Sequence, residues 1–169
     1  LGEEVAKFDL EPFTISRWFD APRELIFRVW TDEKHLAKWF GPKGSEVTHS
    51  KNDFRPGGTY HYCMRYGSGD MWGRWVYREI TPPSRLVYVS SFSDKDRTLQ
   101  PAPFAEEWPR EMLATVTFEE RDGGTNVTVH WLPINAGAAE WETFDNGRAS
   151  MTGGWTGTFD KLDSYLETL

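Results

Sequence analysis

The residue pair best suited to bind a metal in this 169-residue chain is His61 and Cys63. They stand two positions apart, so a strand would place both side chains on one face, where they could offer two ligands. No recognised pattern nearby supplies the remaining ligands, and we therefore predict neither a metal site nor a cofactor. Cys63 also lacks an identified base, and the sequence has no Gly-x-Ser-x-Gly elbow, so nothing in it indicates nucleophilic catalysis.

General acid–base chemistry has three candidate residues, His61, Glu79 and Tyr88. Each side chain can carry a proton to or from a reacting group if the fold brings it into a cleft. Spacing in the sequence does not show that these side chains converge. The segment Gly67-Ser68-Gly69 lacks the third glycine and the following helix of a dinucleotide-binding loop, so we expect no nucleotide site there.

Large aromatic side chains are the strongest compositional signal. Phe, Trp and Tyr together make up 15% of the sequence, and nine residues are Trp. A disordered chain would be poor in these residues. So many rings indicate a core built around a wide apolar surface, or a pocket.

Charge and hydropathy argue against several classes of partner. The chain has 26 acidic and 19 basic residues and a net charge of -7, whereas a nucleic-acid-binding surface needs clustered Lys and Arg. No stretch approaches the roughly 18 consecutive apolar residues of a membrane span. Residues 1–10 contain no apolar signal-peptide core, and the lone Cys63 fits a reducing compartment. We therefore expect a cytoplasmic protein without stable membrane association.

The hydrophobic pattern predicts one strand, two short helices, six further strands and a long C-terminal helix. Phe13–Phe19 alternates as a strand, Asp20 and Asp32 could cap the two short helices, and Gly41-Pro42 ends the second. The six further strands are Glu46–Asn52, Thr59–Tyr66, Met71–Ile80, Leu86–Phe92, Glu111–Glu120 and Thr125–Leu132. Most connections are too short for crossovers, so the sheet should be antiparallel, with residues 93–109 as an irregular loop.

The last third of the sequence predicts an amphipathic helix. Its apolar stripe, with spacings of three and four residues, consists of Met151, Trp155, Phe159, Leu162, Leu166 and Leu169. The helix could begin near Ala138, but Gly147 and the pair Gly153-Gly154 would each cost about 1 kcal/mol relative to Ala inside a helix. The glycine pair permits a close backbone approach or a bend, or else it marks a later helix start.

Alternation within the strands separates two faces of the sheet. Tyr60, Tyr62 and Met64 share the face that we expect to point inward, opposite His61. The pattern around Tyr88 does not show which face of its strand is buried. Tyr and Met side chains are amphipathic or adaptable, as the residues that line ligand pockets tend to be.

Five short motifs, in this order along the chain, are similar to those of one known family. They are Ala21–Trp30, Lys38–Pro42, Asp53–Gly58, Tyr77–Val87 and Gly154-Trp155. With the order of the elements, they resemble the family named for the activator of Hsp90 ATPase, within the START-like or polyketide-cyclase-like superfamily. The resemblance runs from about Phe13 to Leu166. It implies an α+β helix-grip (Bet v1-like) fold, in which a curved seven-stranded antiparallel sheet wraps around a long C-terminal helix.

The same resemblance implies two short helices after the first strand and a cavity between the sheet and the C-terminal helix. We expect one START-like domain over residues 1–169, with its core at about 13–168. Members of the superfamily bind lipids, hormones and aromatic compounds, and some catalyse cyclisation or dehydration. Fold alone does not decide between these functions.

We expect binding of a small hydrophobic or aromatic ligand, with a cyclase- or dehydratase-type enzyme as the alternative use of the same cavity. The candidate ligand-binding residues are Trp39, Phe40, Tyr60, Tyr62, Met64, Trp75, Glu79, Tyr88, Met151, Trp155 and Phe159. Each of them could instead serve core packing, and Glu79 could be a solvated strand residue.

Activation of an Hsp90-type ATPase is the less expected function. In the eukaryotic co-chaperone this domain is joined to a separate N-terminal domain that helps stimulate the ATPase, and 169 residues leave no room for it. A homodimer would be expected if aromatic residues such as Trp108 and Trp141 are exposed and need cover.

Overall fold

The computed structural model describes residues 11–169, and its elements follow the predicted order. The strands are β1 (Phe13–Phe19), β2 (Ser45–Asn52), β3 (Thr59–Tyr66), β4 (Gly69–Thr81), β5 (Arg85–Phe92), β6 (Met112–Arg121) and β7 (Gly124–Pro133). The helices are α1 (Arg23–Thr31), α2 (Glu33–Trp39), α3 (Ala138–Asn146) and α4 (Arg148–Leu166). The alternating pattern therefore predicted every strand boundary to within two residues.

All seven strands form one antiparallel sheet in the order β1-β7-β6-β5-β4-β3-β2. From β2 to β7 each strand pairs with the next one along the chain, as hairpin connections require. The long connection between β5 and β6 includes residues 93–109, which are irregular apart from two isolated bridges. β1 pairs with β7 along its whole length, from Phe13 opposite Trp131 to Phe19 opposite Thr125. The predicted helix-grip fold is confirmed.

Local capping explains where the two short helices begin. The Asp32 side chain accepts a hydrogen bond from the backbone N–H of Lys34 at 2.8 Å, which caps α2 as predicted. The prediction that Asp20 caps α1 is wrong. Pro22 is the residue before the first turn, and its extended backbone begins α1 without any side-chain hydrogen bond.

The C-terminal region consists of two consecutive helices. Gly147 separates α3 from α4, and α4 runs through Gly153 and Gly154 without a break. A later helix start at that glycine pair is therefore wrong. A Cβ atom on either glycine would meet nothing within 4 Å, so no close backbone approach among the described residues explains the pair. Leu169 lies beyond the end of α4 and is exposed, so the apolar stripe ends sooner than predicted.

The core lies between the inner face of the sheet and the helices. Trp30 on α1 is fully buried and stacks on Trp155 of α4, with ring centroids 6.0 Å apart and planes 12° apart. Trp30 also contacts Trp39 of α2, with the ring centroids 4.9 Å apart. Three helices are thus joined through indole rings, whose large apolar area makes a dominant contribution to the core.

Candidate ligand cavity

A cavity of about 650 Å³ lies between the inner face of the sheet, α4 and the 93–109 segment. Its volume falls within the range of roughly 300–1,000 Å³ that is usual for small-molecule pockets. Seven of the predicted ligand-binding residues line it: Phe40, Tyr62, Met64, Trp75, Tyr88, Met151 and Trp155. The sheet therefore does not close completely on the helix, despite the number of large rings in the core.

Aromatic rings that hold one another in place form the wall on the sheet side. Trp75 of β4 and Tyr88 of β5 stack with ring centroids 4.2 Å apart and planes 18° apart. Phe40, just after α2, meets Trp75 and Tyr62 edge-on at 5.1 and 5.0 Å. Edge-to-face and stacked pairs stabilise each other beyond their buried area, so this wall is preorganised.

A glycine on β4 makes room for one of these rings. Gly73 is the direct partner of Tyr62 across the β3–β4 pair. A Cβ atom at position 73 would overlap the hydroxyl and ring atoms of Tyr62. Because no other residue type lacks a Cβ, Gly73 allows the Tyr62 ring to lie across β4.

The opposite wall is formed by α4 and β7. Met151, Gly154 and Trp155 of α4 line the cavity. Trp155 meets Trp131 of β7 at a ring-centroid distance of 5.4 Å, with the planes 73° apart. Gly154 contributes no side chain, and a Cβ atom there would enter open space. This missing side chain helps to leave the space beside α4 unfilled.

All the methionines of the sequence line the cavity: Met64, Met71, Met112 and Met151. They come from β3, β4, β6 and α4 and so surround the space from different sides. Met is unbranched and has a polarisable sulfur, which lets it adapt to ligands of irregular shape. The concentration of every Met at one cavity fits a surface for an apolar ligand.

Two exposed aromatic residues mark the place where the cavity meets solvent. Phe104 is 64% exposed and Tyr66 is 55% exposed, and both also line the cavity. Phe104 packs against Phe92 and Trp108, with ring-centroid distances of 5.6 Å to each. These contacts hold the 93–109 segment over the cavity. Exposed rings that continue into an apolar cavity fit the mouth of a ligand-binding groove.

Few charged groups border the cavity. Among its described lining residues none is Lys, Arg or His, and the one carboxylate, Asp70, pairs with Arg65 at an N–O distance of 3.3 Å. Burial raises the pKa of the Tyr62 and Tyr88 hydroxyls well above their ordinary value. Both phenols are therefore neutral near pH 7, where they can donate hydrogen bonds but cannot act as bases.

Three predicted ligand-binding residues lie behind the wall instead of in it. Trp39 is fully buried and donates its indole N–H to a backbone carbonyl of α1 at 2.9 Å. The Tyr60 hydroxyl lies 2.9 Å from Ser50 Oγ, and Phe159 packs inside the core. None of the three lines the cavity, and all three pack in the core. Periodicity identifies a buried face but does not show which buried residues border an empty space.

Glu79 and His61 lie on the outer face of the sheet. Glu79 is half exposed, pairs with Arg85 at an N–O distance of 3.0 Å and does not line the cavity. His61 donates its Nε2 hydrogen to the backbone carbonyl of Asp94 at 3.1 Å. Of the three acid–base candidates only Tyr88 borders the cavity. The structure does not bring them together.

Sequence reasoning missed a further group of lining residues. They include Met71, Phe92, Phe104, Trp108, Met112 and Trp131. Trp131 continues the alternation of the buried Val127 and Val129 along β7, so a signal for it was present. Phe104 and Trp108 lie in the irregular 93–109 segment, which has no periodicity from which an inward face could be inferred.

The surface exposure expected for Trp141 and Trp108 is not found. Trp141 is buried and meets Phe144 edge-on with a ring-centroid distance of 5.8 Å. Trp108 is half-buried and lines the cavity. These two residues therefore give no reason to expect a homodimer.

Neither a metal cluster nor a membrane-spanning helix is found between residues 11 and 169. Cys63 is buried and unpaired, and no group of three or more His, Cys, Asp or Glu side chains in this range could hold a metal ion. No helix in the range is long and apolar enough to cross a membrane.

Comparison with known families identifies the one to which the chain belongs. Residues 20–167 match the family described as activator of Hsp90 ATPase homolog 1-like protein. This match covers most of the chain, which therefore belongs to that family. No curated protein matches the chain.

Solved structures with the same fold come from several bacteria. Protein Ms6760 from Mycobacterium smegmatis is 25% identical, with a TM-score of 0.75 over 94% of this chain and 92% of that one. A protein from Arthrobacter aurescens is 24% identical, with a TM-score of 0.77 over 98% and 93%. Protein NE0264 from Nitrosomonas europaea is 23% identical, with a TM-score of 0.73 over 94% and 95%. Likeness at this level of identity shows the fold alone.

Proposed function

We propose that this protein binds a small hydrophobic or aromatic molecule in the cavity between the sheet and α4. The observation that carries the proposal is the wall itself, in which all four methionines and a set of preorganised aromatic rings surround about 650 Å³. Apolar burial would drive binding, at roughly 25 cal/mol per Å² before the costs of association. We place this activity in the cytoplasm, where the buried thiol of Cys63 would stay reduced.

The chemistry of the wall favours binding over acid–base catalysis. A general acid or base needs a pKa near the working pH, and burial moves the pKa of Tyr62 and Tyr88 away from it. Asp70 is paired with Arg65, and His61 is on the other face of the sheet. A cyclase or dehydratase would therefore lack a suitably placed proton-transfer group among the described lining residues.

The adjacent glycines Gly153 and Gly154 offer a matched test of the cavity. A Leu side chain at Gly154 would enter the cavity, whereas Gly153 is exposed and does not line it. Both substitutions replace a glycine inside α4 and remove its propensity cost of about 1 kcal/mol. They should therefore raise the free energy of unfolding alike and differ only in their effect on the cavity.

The binding readout is the affinity for a neutral apolar probe, 2-acetonaphthone, measured by equilibrium dialysis. We expect Gly154→Leu to weaken binding about tenfold, which corresponds to about 1.4 kcal/mol, and Gly153→Leu to leave it unchanged. Equal affinity in both variants and the wild type would contradict binding in this cavity.

Mass spectrometry under native conditions separates a binder from an enzyme. We expect protein purified from its host to carry a discrete mass excess that disappears on unfolding. Incubation of the released compound with fresh protein should return it unchanged. Its conversion to a product would support the cyclase or dehydratase alternative instead.

A further inference from the structure

The Tyr88 hydroxyl is a hydrogen-bond donor without an acceptor in the wall of the cavity. Tyr88 is only 1% exposed, and its hydroxyl makes no hydrogen bond to any residue in the described part of the chain. Two other buried tyrosines of the sheet do make hydrogen bonds through their hydroxyls. Tyr77 donates to Asn52 Oδ1 at 3.0 Å, and the Tyr60 hydroxyl pairs with that of Ser50.

The same wall contains three further unpaired polar groups. The indole N–H groups of Trp131 and Trp155 and the hydroxyl of Ser91 are buried and have no hydrogen-bond partner within residues 11–169. An indole nitrogen can only donate a hydrogen bond, so each of these indoles lacks an acceptor. Buried polar groups without partners are rare because their desolvation is not compensated. The two indole nitrogens have almost no accessible surface, so the Tyr88 hydroxyl is the donor that an acceptor inside the cavity would meet.

The charges around the cavity restrict what that acceptor can be. A carboxylate or phosphate would be buried without a cation, because none of the described lining residues is Lys, Arg or His. An ammonium group would find one carboxylate among the described lining residues, Asp70, which already pairs with Arg65 at the exposed rim. A neutral oxygen acceptor satisfies the Tyr88 hydroxyl without bringing an unpaired charge into the protein.

We propose that the ligand is a neutral apolar molecule with a carbonyl-type oxygen, such as a ketone, quinone or ester, which accepts a hydrogen bond from the Tyr88 hydroxyl. This inference rests on the proposed function and adds the chemical class of the ligand. Fatty acids and amines are excluded from that class by charge, and pure hydrocarbons are disfavoured because they would leave the Tyr88 hydroxyl unpaired.

Three naphthalene probes of nearly equal shape test the inference. 2-Acetonaphthone carries a ketone, 2-isopropenylnaphthalene replaces the ketone oxygen with a CH₂ group, and 2-naphthoate replaces the acetyl group with a carboxylate. Their affinities for the protein are measured by equilibrium dialysis at pH 7.5. We expect the ketone to bind about threefold to tenfold more tightly than the hydrocarbon, as a net gain of one hydrogen bond allows. We expect 2-naphthoate to bind most weakly.

Tyr88→Phe removes the hydroxyl and keeps the ring that stacks on Trp75. In this variant the preference for the ketone over the hydrocarbon should disappear, while the affinity for the hydrocarbon stays the same. Tyr77→Phe is the matched control, since Tyr77 is also a buried phenol but does not line the cavity. It should keep the preference. Near-ultraviolet circular dichroism of both variants verifies that their aromatic packing is native.

The outcomes separate the inference from the proposed function. If all three probes bind and the ketone preference is absent or survives Tyr88→Phe, the inference is wrong and the proposed function stands. Tightest binding of 2-naphthoate would also overturn the inference. If none of the probes binds, the proposed function fails, and the inference fails with it.

Discussion

The Nζ atom of Lys161 on α4 lies 3.1 Å from the backbone carbonyl oxygen of Ser45, the first residue of β2. The same ammonium group also donates to the carbonyl oxygens of Phe40, Gly41 and Pro42, at 3.4 to 3.5 Å. Three of the contacted residues belong to the segment after α2, where Phe40 begins the aromatic wall of the cavity. The Lys161 side chain therefore attaches α4 to that segment through hydrogen bonds to the backbone carbonyls of the segment.

Lys161→Met should loosen this attachment while keeping most of the length of the side chain. Hydrogen bonds from a charged donor are among the stronger ones, so we expect the free energy of unfolding to fall by about 1–3 kcal/mol. The affinity for 2-acetonaphthone should fall as well, because Phe40 loses its support. Urea denaturation and equilibrium dialysis measure the two effects. Lys34→Met, on the exposed side of α2, is the control and should change neither.

Gly73→Ala should disturb the sheet wall of the cavity. The added Cβ would overlap the Tyr62 hydroxyl and ring, so we expect a loss of about 1–3 kcal/mol in the free energy of unfolding. Gly69→Ala is the control on the same strand, since its nearest neighbour would be 3.9 Å away. Chemical denaturation compares the two variants.

The double variant Gly73→Ala/Tyr62→Leu identifies the source of that loss. Removal of the ring should relieve the overlap, so the two changes together should destabilise the protein less than the sum of the single changes. Simple additivity would show that the glycine is needed for some reason other than Tyr62.

Phe159 provides a test of the distinction between core and cavity. It is 1% exposed and packs edge-on against Phe19 with ring centroids 5.6 Å apart, but it does not line the cavity. Phe159→Ala should lower the free energy of unfolding by about 3–5 kcal/mol. The affinity of the folded fraction for 2-acetonaphthone should fall less than in Trp155→Ala, because Phe159 supports the cavity wall only through Trp155, with ring centroids 5.4 Å apart. Dialysis below the unfolding temperature measures both, and a loss as large as that in Trp155→Ala would return Phe159 to the binding site.

Burial of His61 predicts that the protein loses stability in mild acid. Burial lowers the pKa of His61 below its ordinary value of 6.5, and the nearby charges of His49 and Arg97 act in the same direction. Below about pH 6.5 the unfolded chain takes up the proton more readily than the folded one, so the free energy of unfolding decreases as the pH falls. Above that pH the imidazole is neutral in both states and has no such effect.

Urea midpoints at pH 7.5 and pH 5.0 measure this dependence. His61→Gln keeps a side-chain N–H for the Asp94 carbonyl but does not titrate, so its midpoint should fall less than that of the wild type between the two pH values. His49→Gln removes one of the nearby charges that lower the pKa of His61, so its midpoint should also fall less than that of the wild type, but more than that of His61→Gln. An equal fall in wild type and His61→Gln would show that other groups cause the pH dependence.

The order of elements and the inner face of the sheet could be predicted from local patterns. Tyr62 and Met64 were placed correctly because side chains alternate along a strand whatever the rest of the fold does. The boundaries of α4 were less predictable. Gly153 and Gly154 argue against a helix by propensity, yet tertiary burial of Met151 and Trp155 overrides that cost.

The cavity itself was only partly predictable. Whether Tyr60 or Tyr62 borders an empty space depends on small differences in how rings interlock across strands, which no one-dimensional pattern contains. Phe104 and Trp108 could not be placed because their segment has no regular period. Glu79 lies beyond a register shift in the β4–β5 pair, between Tyr77 and Glu79, where simple alternation fails to predict the face of the sheet.

The most direct test of the central claim uses the four methionines as reporters. Selective ¹³C labelling of the Met methyl groups gives one signal for each of Met64, Met71, Met112 and Met151, all of which line the cavity. On titration with 2-acetonaphthone we predict saturable shifts of these signals, together with nuclear Overhauser contacts from the methyl groups to the probe. The shifts should be lost in Gly154→Leu and kept in Gly153→Leu. Four unchanged methyl signals at saturating probe would contradict the claim that this cavity binds apolar ligands.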